Sequence, residues 1–123
     1  MAQKKTIYII DDDLMQNEIH TLILDKVYPD YQVKTFTRYQ DALDHLTIDR
    51  PHLLFLDLNI PGEDVRTFLR QLKDMALDTD VYLISSRPYL ADTSLLTECP
   101  AVKDFISKPL LEDKLRFAMG DPV

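Results

Sequence analysis

Short apolar runs alternate with amphipathic segments along the whole chain. Five runs have the length and composition of buried strands, and apolar residues at helical spacing follow each of them. Five strands that alternate with five helices predict parallel strands joined by right-handed crossovers, in an open sheet with helices on both faces. The predicted strands are residues 7–10, 31–36, 53–56, 81–84 and a fifth that contains Phe105 and Ile106.

The helical segments differ in how clearly their apolar stripes are marked. Asp12 or Asp13 can cap the first helix, and Pro29 follows it. Residues 87–101 are ambiguous because Pro88 and Pro100 bracket them, so that only residues 90–97 suit a helix. The predicted stripes are Met15, Ile19, Leu22, Ile23 and Val27, then Tyr39, Ala42, Leu43 and Leu46, then Val65, Phe68, Leu69 and Leu72, with a last helix at residues 110–119.

Composition and charge exclude several classes of protein. The chain has 123 residues, which suits one domain, and a hydrophobic fraction of 46% that supplies a core. A net charge of −7 repels nucleic-acid phosphates, so we expect no direct nucleic-acid partner. Cys99 is the only cysteine, which excludes an intramolecular disulfide and fits a cytoplasmic location. No apolar run approaches the length of a membrane span, so we expect no membrane association.

Polar residues at the ends of the predicted strands are the candidates for chemistry. In an open parallel sheet, ligands bind beyond the carboxyl ends of the strands, where the strand order reverses. Four of the five strands end in groups suited to phosphoryl transfer. These groups are Asp11, Asp12 and Asp13 after the first strand, Asp57 after the third, Ser85 after the fourth, and Lys108 after the fifth.

The carboxylates in this set predict a divalent cation. Two carboxylates about 4 Å apart repel by about 4 kcal/mol at an effective dielectric constant near 20. Mg²⁺ prefers oxygen ligands and keeps water positions free for a phosphate, so it suits Asp11 and Asp12 better than helix capping alone. Asp57 is suited to attack phosphorus and form an acyl phosphate. Ser85 and Lys108 offer a hydroxyl and a positive charge to the phosphoryl oxygens.

Taken in order, these motifs resemble the receiver domain of bacterial two-component response regulators over nearly the whole chain. The resemblance implies a flavodoxin-like α/β fold, with a doubly wound five-stranded parallel sheet in the order 2-1-3-4-5. It also implies one chemotaxis-type receiver domain over residues 1–123 without an output domain. The matching motifs are Ile10 with Asp11–Asp13, residues 54–62 around Asp57, Ile84-Ser85-Ser86, and Phe105 with Lys108-Pro109.

The resemblance also implies roles at the acidic site. Asp57 is expected to receive a phosphoryl group from a histidine kinase or phosphotransfer protein. Asp12, Asp57 and the backbone carbonyl of Asn59 are expected to hold Mg²⁺, with Asp11 assisting. Ser85 and Lys108 are expected to bind the phosphoryl oxygens. On this view the protein turns over no separate substrate and catalyses only its own phosphorylation and dephosphorylation.

Further implied roles concern signalling. Phe105 is expected to change rotamer with the state of Ser85, and Asn59 and Arg87 to tune the lifetime of the phosphoryl group. The resemblance implies an output protein, which the sequence does not identify. It also allows a homodimer formed through the face of the fourth helix, fifth strand and fifth helix.

The sequence departs from the family's pattern in two loops. Val65 follows Asp64 where a glycine is usual, and valine does not adopt positive φ cheaply, so we expect a different loop shape there. Ser86 stands where alanine is common. Pro88 stiffens the following loop, and Pro100 replaces a more usual Gly-Ala turn. These changes affect the surface around the fourth helix rather than the acidic site.

Three alternatives belong to other classes. The first is a receiver-like interaction module that is never phosphorylated. The second is a hydrolase with an aspartyl nucleophile, but that chemistry needs an acid two residues after Asp57, where Asn59 stands. The third is a flavodoxin-type nucleotide-binding domain, but no glycine-rich loop follows the first strand.

Overall fold

The computed structural model describes residues 5–87 and 93–120, which form a five-stranded parallel sheet flanked by helices. Numbered along the chain, the strands lie in the order 2-1-3-4-5 across the sheet, as predicted. The strands are β1 (Lys5–Ile10), β2 (Tyr31–Phe36), β3 (Leu53–Asp57), β4 (Asp80–Ser85) and β5 (Val102–Ser107). The helices are α1 (Leu14–Val27), α2 (Tyr39–Leu46), α3 (Val65–Asp74), α4 (Ser94–Glu98) and α5 (Glu112–Met119).

The hydrophobic core has two layers, one on each face of the sheet. Successive residues of a strand point to opposite faces, so Tyr8 and Ile10 belong to one layer and Ile7 and Ile9 to the other. α2, α3 and α4 cover the first layer, while α1 and α5 cover the second. All five residues of β3 are buried, because helices cover this central strand on both sides.

The predicted apolar stripe of α1 is wrong for three of its five residues. Met15, Ile19 and Leu22 are exposed, with Met15 70% and Leu22 63% accessible. The helix instead buries Asn17, His20 and Leu24. The helical period was predicted correctly, but the buried face was not. Two of the residues that α1 turns inward are polar because they hydrogen-bond to backbone groups next to the strand ends, as described below.

The loop before α3 accommodates Val65 without positive φ. Asp64 is the N-cap of α3, and its Oδ1 accepts a hydrogen bond from Arg66 N at 3.0 Å. Val65 is therefore the first residue of the helix. The positive φ in this loop is at Gly62, with φ of 78°, where the absence of a Cβ makes it inexpensive.

The segment after β4 is only partly described. α4 spans Ser94–Glu98, which overlaps the predicted helical window of residues 90–97, whereas Pro88 and residues 89–92 lie outside the described residues. Pro100 lies in a turn that leads into β5, closed by a hydrogen bond from Val102 N to Cys99 O at 3.0 Å. α5 begins at Glu112 rather than at Leu110, which lies buried in the preceding turn.

Candidate functional site

Two buried aspartates meet at the carboxyl edge of the sheet. Asp11 directly follows β1 and Asp57 is the last residue of β3, and the pairing of Ile10 with Leu56 brings them side by side. Asp11 is 0% and Asp57 2% exposed. Asp12 lies beside them but is exposed to solvent. One oxygen from each of these three carboxylates can be chosen so that all lie within 4.8 Å of one another.

The two buried acids are held in the same way. Asp11 Oδ1 accepts a hydrogen bond from Asp13 N at 2.9 Å, and Asp57 Oδ1 accepts one from Asn59 N at 3.0 Å. Each carboxylate thus caps the backbone two residues further on, as aspartate does in an Asx turn. The second oxygen of each carboxylate is left facing the space between them.

Lys108 occupies the space between the acids. Its Nζ lies 2.8 Å from Asp11 Oδ2 and 3.1 Å from Asp57 Oδ2. The lysine follows β5, and its backbone N–H donates to the carbonyl of Ser85 at 2.9 Å. A positive charge on one strand end therefore bridges two negative charges that belong to two others.

The electrostatics of the site favour binding of a further cation. Burial raises the pKa of Asp57, and the charge of Asp11 adds to the effect, although Asn59 N–H and Lys108 oppose it. Burial alone lowers the pKa of Lys108, but its bonds and charge interactions with Asp11 and Asp57 outweigh this and raise it. A single lysine thus leaves Asp57 in an environment that still penalises its negative charge.

Ser85 closes the site on the side of β4. Its Oγ is buried and accepts hydrogen bonds from Asn59 Nδ2 at 3.0 Å and from Arg87 N at 3.0 Å. The Ser85 hydroxyl proton has no acceptor among residues 5–87 and 93–120. The side chains of Asn59 and Arg87 lie at the solvent-exposed rim.

Residues that sequence reasoning did not select hold the backbone of the site. The hydroxyl of Tyr39 donates to the carbonyl of Asp57, and Tyr39 N donates to Glu63 Oε2 at 2.7 Å. Asn17 Nδ2 donates to the carbonyl of Asp11 at 2.8 Å. Tyr39 was assigned only to an apolar stripe, and Asn17 to none. The signal that could have found Asn17 is a polar residue at helical spacing from the acidic triplet.

Phe105 lies on the β5 side of the site and is partly buried. It is paired with Leu83 of β4 and packs against the core layer that α2, α3 and α4 cover. Ser85 pairs with Ser107, two residues further along β5. The predicted switch residue is therefore close in register to the serine, on the face of the sheet that carries α4.

The donor set fits a hard divalent cation. The three acids offer only oxygen ligands, and Asp12 is open to solvent, so a bound ion could keep water or phosphate oxygens in its coordination shell. Asn59 follows Asp57 by two residues, so its backbone carbonyl is near the same edge of the sheet. The residues that could hold Mg²⁺ are thus Asp11, Asp12, Asp57 and the carbonyl of Asn59.

Comparison with known proteins agrees with this fold. Residues 7–119 match the family model described as the response regulator receiver domain. Transcriptional regulatory protein CssR of Bacillus subtilis strain 168 is 34% identical over 110 residues, which are 89% of this chain and 47% of CssR. The probable C4-dicarboxylate response regulator DctR of the same organism is 26% identical over 97% of this chain and 53% of DctR.

Solved structures share the fold. A two-component response regulator from Cytophaga hutchinsonii is 22% identical with a TM-score of 0.80, covering 94% of each chain. Response regulator TrrA from Thermotoga maritima, solved with Mg²⁺ and BeF, is 21% identical with a TM-score of 0.75, covering 93% of this chain and 95% of TrrA.

The chain belongs to the response regulator receiver domain family. Receiver domains are signalling modules, and the predicted family and fold are both confirmed. The chain spans about half the length of the two curated relatives described above. The absence of an output domain therefore stays a prediction. Within residues 5–87 and 93–120, no helix combines the length and hydropathy that a membrane span requires.

Proposed function

We propose that this receiver domain accepts a phosphoryl group on Asp57 in the presence of Mg²⁺ and signals the event to a partner protein. The observation that carries the proposal is the arrangement around Asp57. Its carboxylate is buried, faces Asp11 and Lys108, and lies one strand away from the Ser85 hydroxyl, whose proton has no acceptor within the described part of the chain. A carboxylate that merely ended a strand would need none of these neighbours.

Phosphoryl transfer needs each of these groups in a defined role. An oxygen of Asp57 attacks phosphorus, the bond from phosphorus to the donor's imidazole nitrogen breaks, and its electron pair stays on that nitrogen. Lys108 Nζ, which already contacts Asp57 Oδ2, donates a hydrogen bond to a phosphoryl oxygen. Ser85 turns its free hydroxyl proton to another phosphoryl oxygen. The phosphodonor is a histidine kinase or phosphotransfer protein, as the family resemblance implies.

Asp11, Asp12, Asp57 and the Asn59 carbonyl form the Mg²⁺ site of the proposal. When bound, the ion supplies neutralisation of the crowded carboxylates and of the charge that develops on the phosphoryl group. The buried Asp57 supports this assignment, because its pKa is raised despite Lys108. Asn59 and Arg87 lie at the exposed rim, and the proposal assigns to them control of the access of water to the acyl phosphate and hence of its lifetime.

The phosphodonor binds next to the acids in this proposal. Met15, Ile19 and Leu22 form an exposed apolar stripe on α1, at i, i+4 and i+7, and exposed Leu14 extends it to the acidic triplet. Contiguous exposed apolar side chains are typical of protein contacts. A helical donor that covered this stripe would place its phosphoryl group beside Asp57.

Output runs through Ser85 and Phe105. Movement of the Ser85 hydroxyl toward the phosphoryl group breaks its present bonds to Asn59 and Arg87, and Phe105 then fills the vacated space. This reshapes the face formed by α4, β5 and α5, where an output protein or a second copy of the domain binds. Phosphorylation shifts the balance of the two conformations only by its differential interaction with them.

Borohydride reduction tests the proposed chemistry at the level of the residue. Reduction converts an aspartyl phosphate into homoserine, which peptide mass spectrometry locates in the sequence. After incubation with a phosphodonor and Mg²⁺, reduction is expected to yield homoserine at position 57 and nowhere else. Modification at another aspartate would contradict the assignment of Asp57 as the acceptor. No modification with a donor that phosphorylates other receivers would favour the unphosphorylated interaction module.

A further inference from the structure

His20 is a buried polar residue whose hydrogen bond goes to Leu110 and not to any group proposed to bind the phosphoryl group. It lies on the inward face of α1 and is 0% exposed. Its Nε2 accepts a hydrogen bond from Leu110 N at 3.2 Å, across 90 positions of the sequence. Its Nδ1 has no partner among the described residues. A helix that needed only apolar packing here would carry leucine, so the contact with Leu110 is the feature to explain.

The contact fixes the backbone that carries Lys108. Leu110 follows Lys108 by two residues, and Pro109 between them has no N–H to donate. The segment is therefore held at two points, by Lys108 N on the carbonyl of Ser85 at 2.9 Å and by Leu110 N on His20. Because Leu110 is fully buried, water cannot replace the imidazole as acceptor for its N–H.

The imidazole can accept this bond only in one form. Nε2 must be unprotonated, so a neutral ring carries its proton on Nδ1. Burial lowers the pKa of His20, and Lys108 lowers it further, while Asp11 and Asp13 oppose. The neutral form that the geometry requires is thus also the form that the surroundings favour.

Asn17, one turn before His20 on the same face of α1, makes a similar hydrogen bond to a backbone group. Its Nδ2 donates to the carbonyl of Asp11 at 2.8 Å. Both inward polar residues of α1 thus bind backbone close to an ionic group of the site, Asp11 in one case and Lys108 in the other. The polar inward face of α1 that contradicted the sequence prediction has a single explanation in these two contacts.

We propose that His20 is a positioning residue for phosphoryl transfer, which holds the Lys108–Leu110 segment so that the ammonium of Lys108 stays between Asp11 and Asp57. The inference rests on the proposed function of Asp57. His20 touches no reacting atom and acts only through Leu110 N and the course of the backbone.

Two substitutions separate positioning from packing. His20→Leu fills the space but leaves Leu110 N–H without an acceptor, whereas the amide oxygen of His20→Gln can occupy the place of Nε2. The rate of acyl phosphate formation with acetyl phosphate and Mg²⁺ is expected to fall about tenfold in His20→Leu and to recover in His20→Gln. Leu24→Val changes another fully buried residue of α1 but keeps the hydrogen bond between His20 and Leu110, so it is the matched control.

The rate of acyl phosphate formation in a Lys108→Ala background tests whether His20 acts through Lys108. If His20 acts through Lys108, His20→Leu slows the Lys108→Ala protein no further. Amide hydrogen exchange at Leu110 is expected to accelerate in His20→Leu but not in His20→Gln or Leu24→Val. Equal slowing in both backgrounds, or slowing by Leu24→Val to the same degree, would overturn the inference. A wild-type protein that neither gains a phosphoryl group nor binds beryllium fluoride would instead overturn the proposed function on which the inference rests.

Discussion

Lys108 Nζ lies 3.1 Å from Asp57 Oδ2, although Asp57 ends β3, Lys108 follows β5, and β4 separates these two strands. The lysine reaches across β4 because its own backbone is bonded to the carbonyl of Ser85, the last residue of that strand. The contact offsets part of the charge of Asp57 and places the ammonium where a phosphoryl oxygen is expected. Stability and proposed chemistry therefore depend on the same pair.

Removing the lysine is expected to destabilise the domain. Lys108→Ala leaves the buried charges of Asp11 and Asp57 without a partner, which costs about 3 kcal/mol of unfolding free energy. Mg²⁺ is expected to recover more stability in this variant than in the wild type, because it replaces the lost charge. Urea unfolding with Mg²⁺ and with chelator measures both. An identical Mg²⁺ effect in the two proteins would argue against a shared site.

The raised pKa of Asp57 predicts a pH-dependent penalty. An acid whose pKa is higher in the folded than in the unfolded state loses stability as pH rises through the interval between the two values. Asp57→Asn is therefore expected to be more stable than the wild type near neutral pH in chelator. That advantage should vanish below the ordinary carboxyl pKa of 3.8. Unfolding curves across this range check the sign, and an advantage that grows at low pH would contradict it.

Ser85→Ala is expected to uncouple output from phosphorylation. The variant loses the hydroxyl that accepts from Asn59 and Arg87 and is proposed to turn toward the phosphoryl group. Acyl phosphate still forms, but the difference in partner affinity between phosphorylated and free protein falls from roughly tenfold, within the usual range of coupling, to almost none. Ser86→Ala, an exposed neighbour, is the control and should leave the coupling intact.

The exposed stripe of α1 predicts a variant that distinguishes two phosphodonors. Leu22→Asp is expected to slow transfer from a phosphotransfer protein while leaving the reaction with acetyl phosphate unchanged. Stability should change by less than about 0.5 kcal/mol, because the side chain is exposed. Ile48→Asp is the matched control, since Ile48 is also exposed but precedes β3 at the opposite edge of the sheet. Equal slowing by both variants would argue against docking on α1.

The sequence alone was sufficient to predict the sheet and the residues at the ends of its strands. The runs ending before Asp11 and Asp57 are apolar on both faces, so their strand character and burial follow from local pattern alone. Parallel pairing then brings the strand ends to one edge, which is why the sequence alone groups Asp11, Asp57 and Lys108.

The buried face of α1 was not predictable in the same way. Hydrophobicity favoured Met15, Ile19 and Leu22, yet the helix buries Asn17 and His20. Their reason for burial lies in hydrogen bonds to Asp11 and Leu110, and the second of these spans 90 positions. Tyr39 is a similar case, because its ring fits an apolar stripe while its hydroxyl holds the Asp57 carbonyl. Hydrophobic periodicity detects an apolar helix face, but it does not detect a hydrogen-bond partner that is distant in the sequence.

Intact mass after incubation with acetyl phosphate tests the central claim most directly. Wild type and Asp57→Asn are each measured with Mg²⁺ and with chelator. The proposal predicts a gain of one phosphoryl group in the wild type with Mg²⁺ and no gain in the other three samples. A gain that persists in Asp57→Asn or in chelator would contradict it, as would a wild type that neither gains mass nor binds beryllium fluoride.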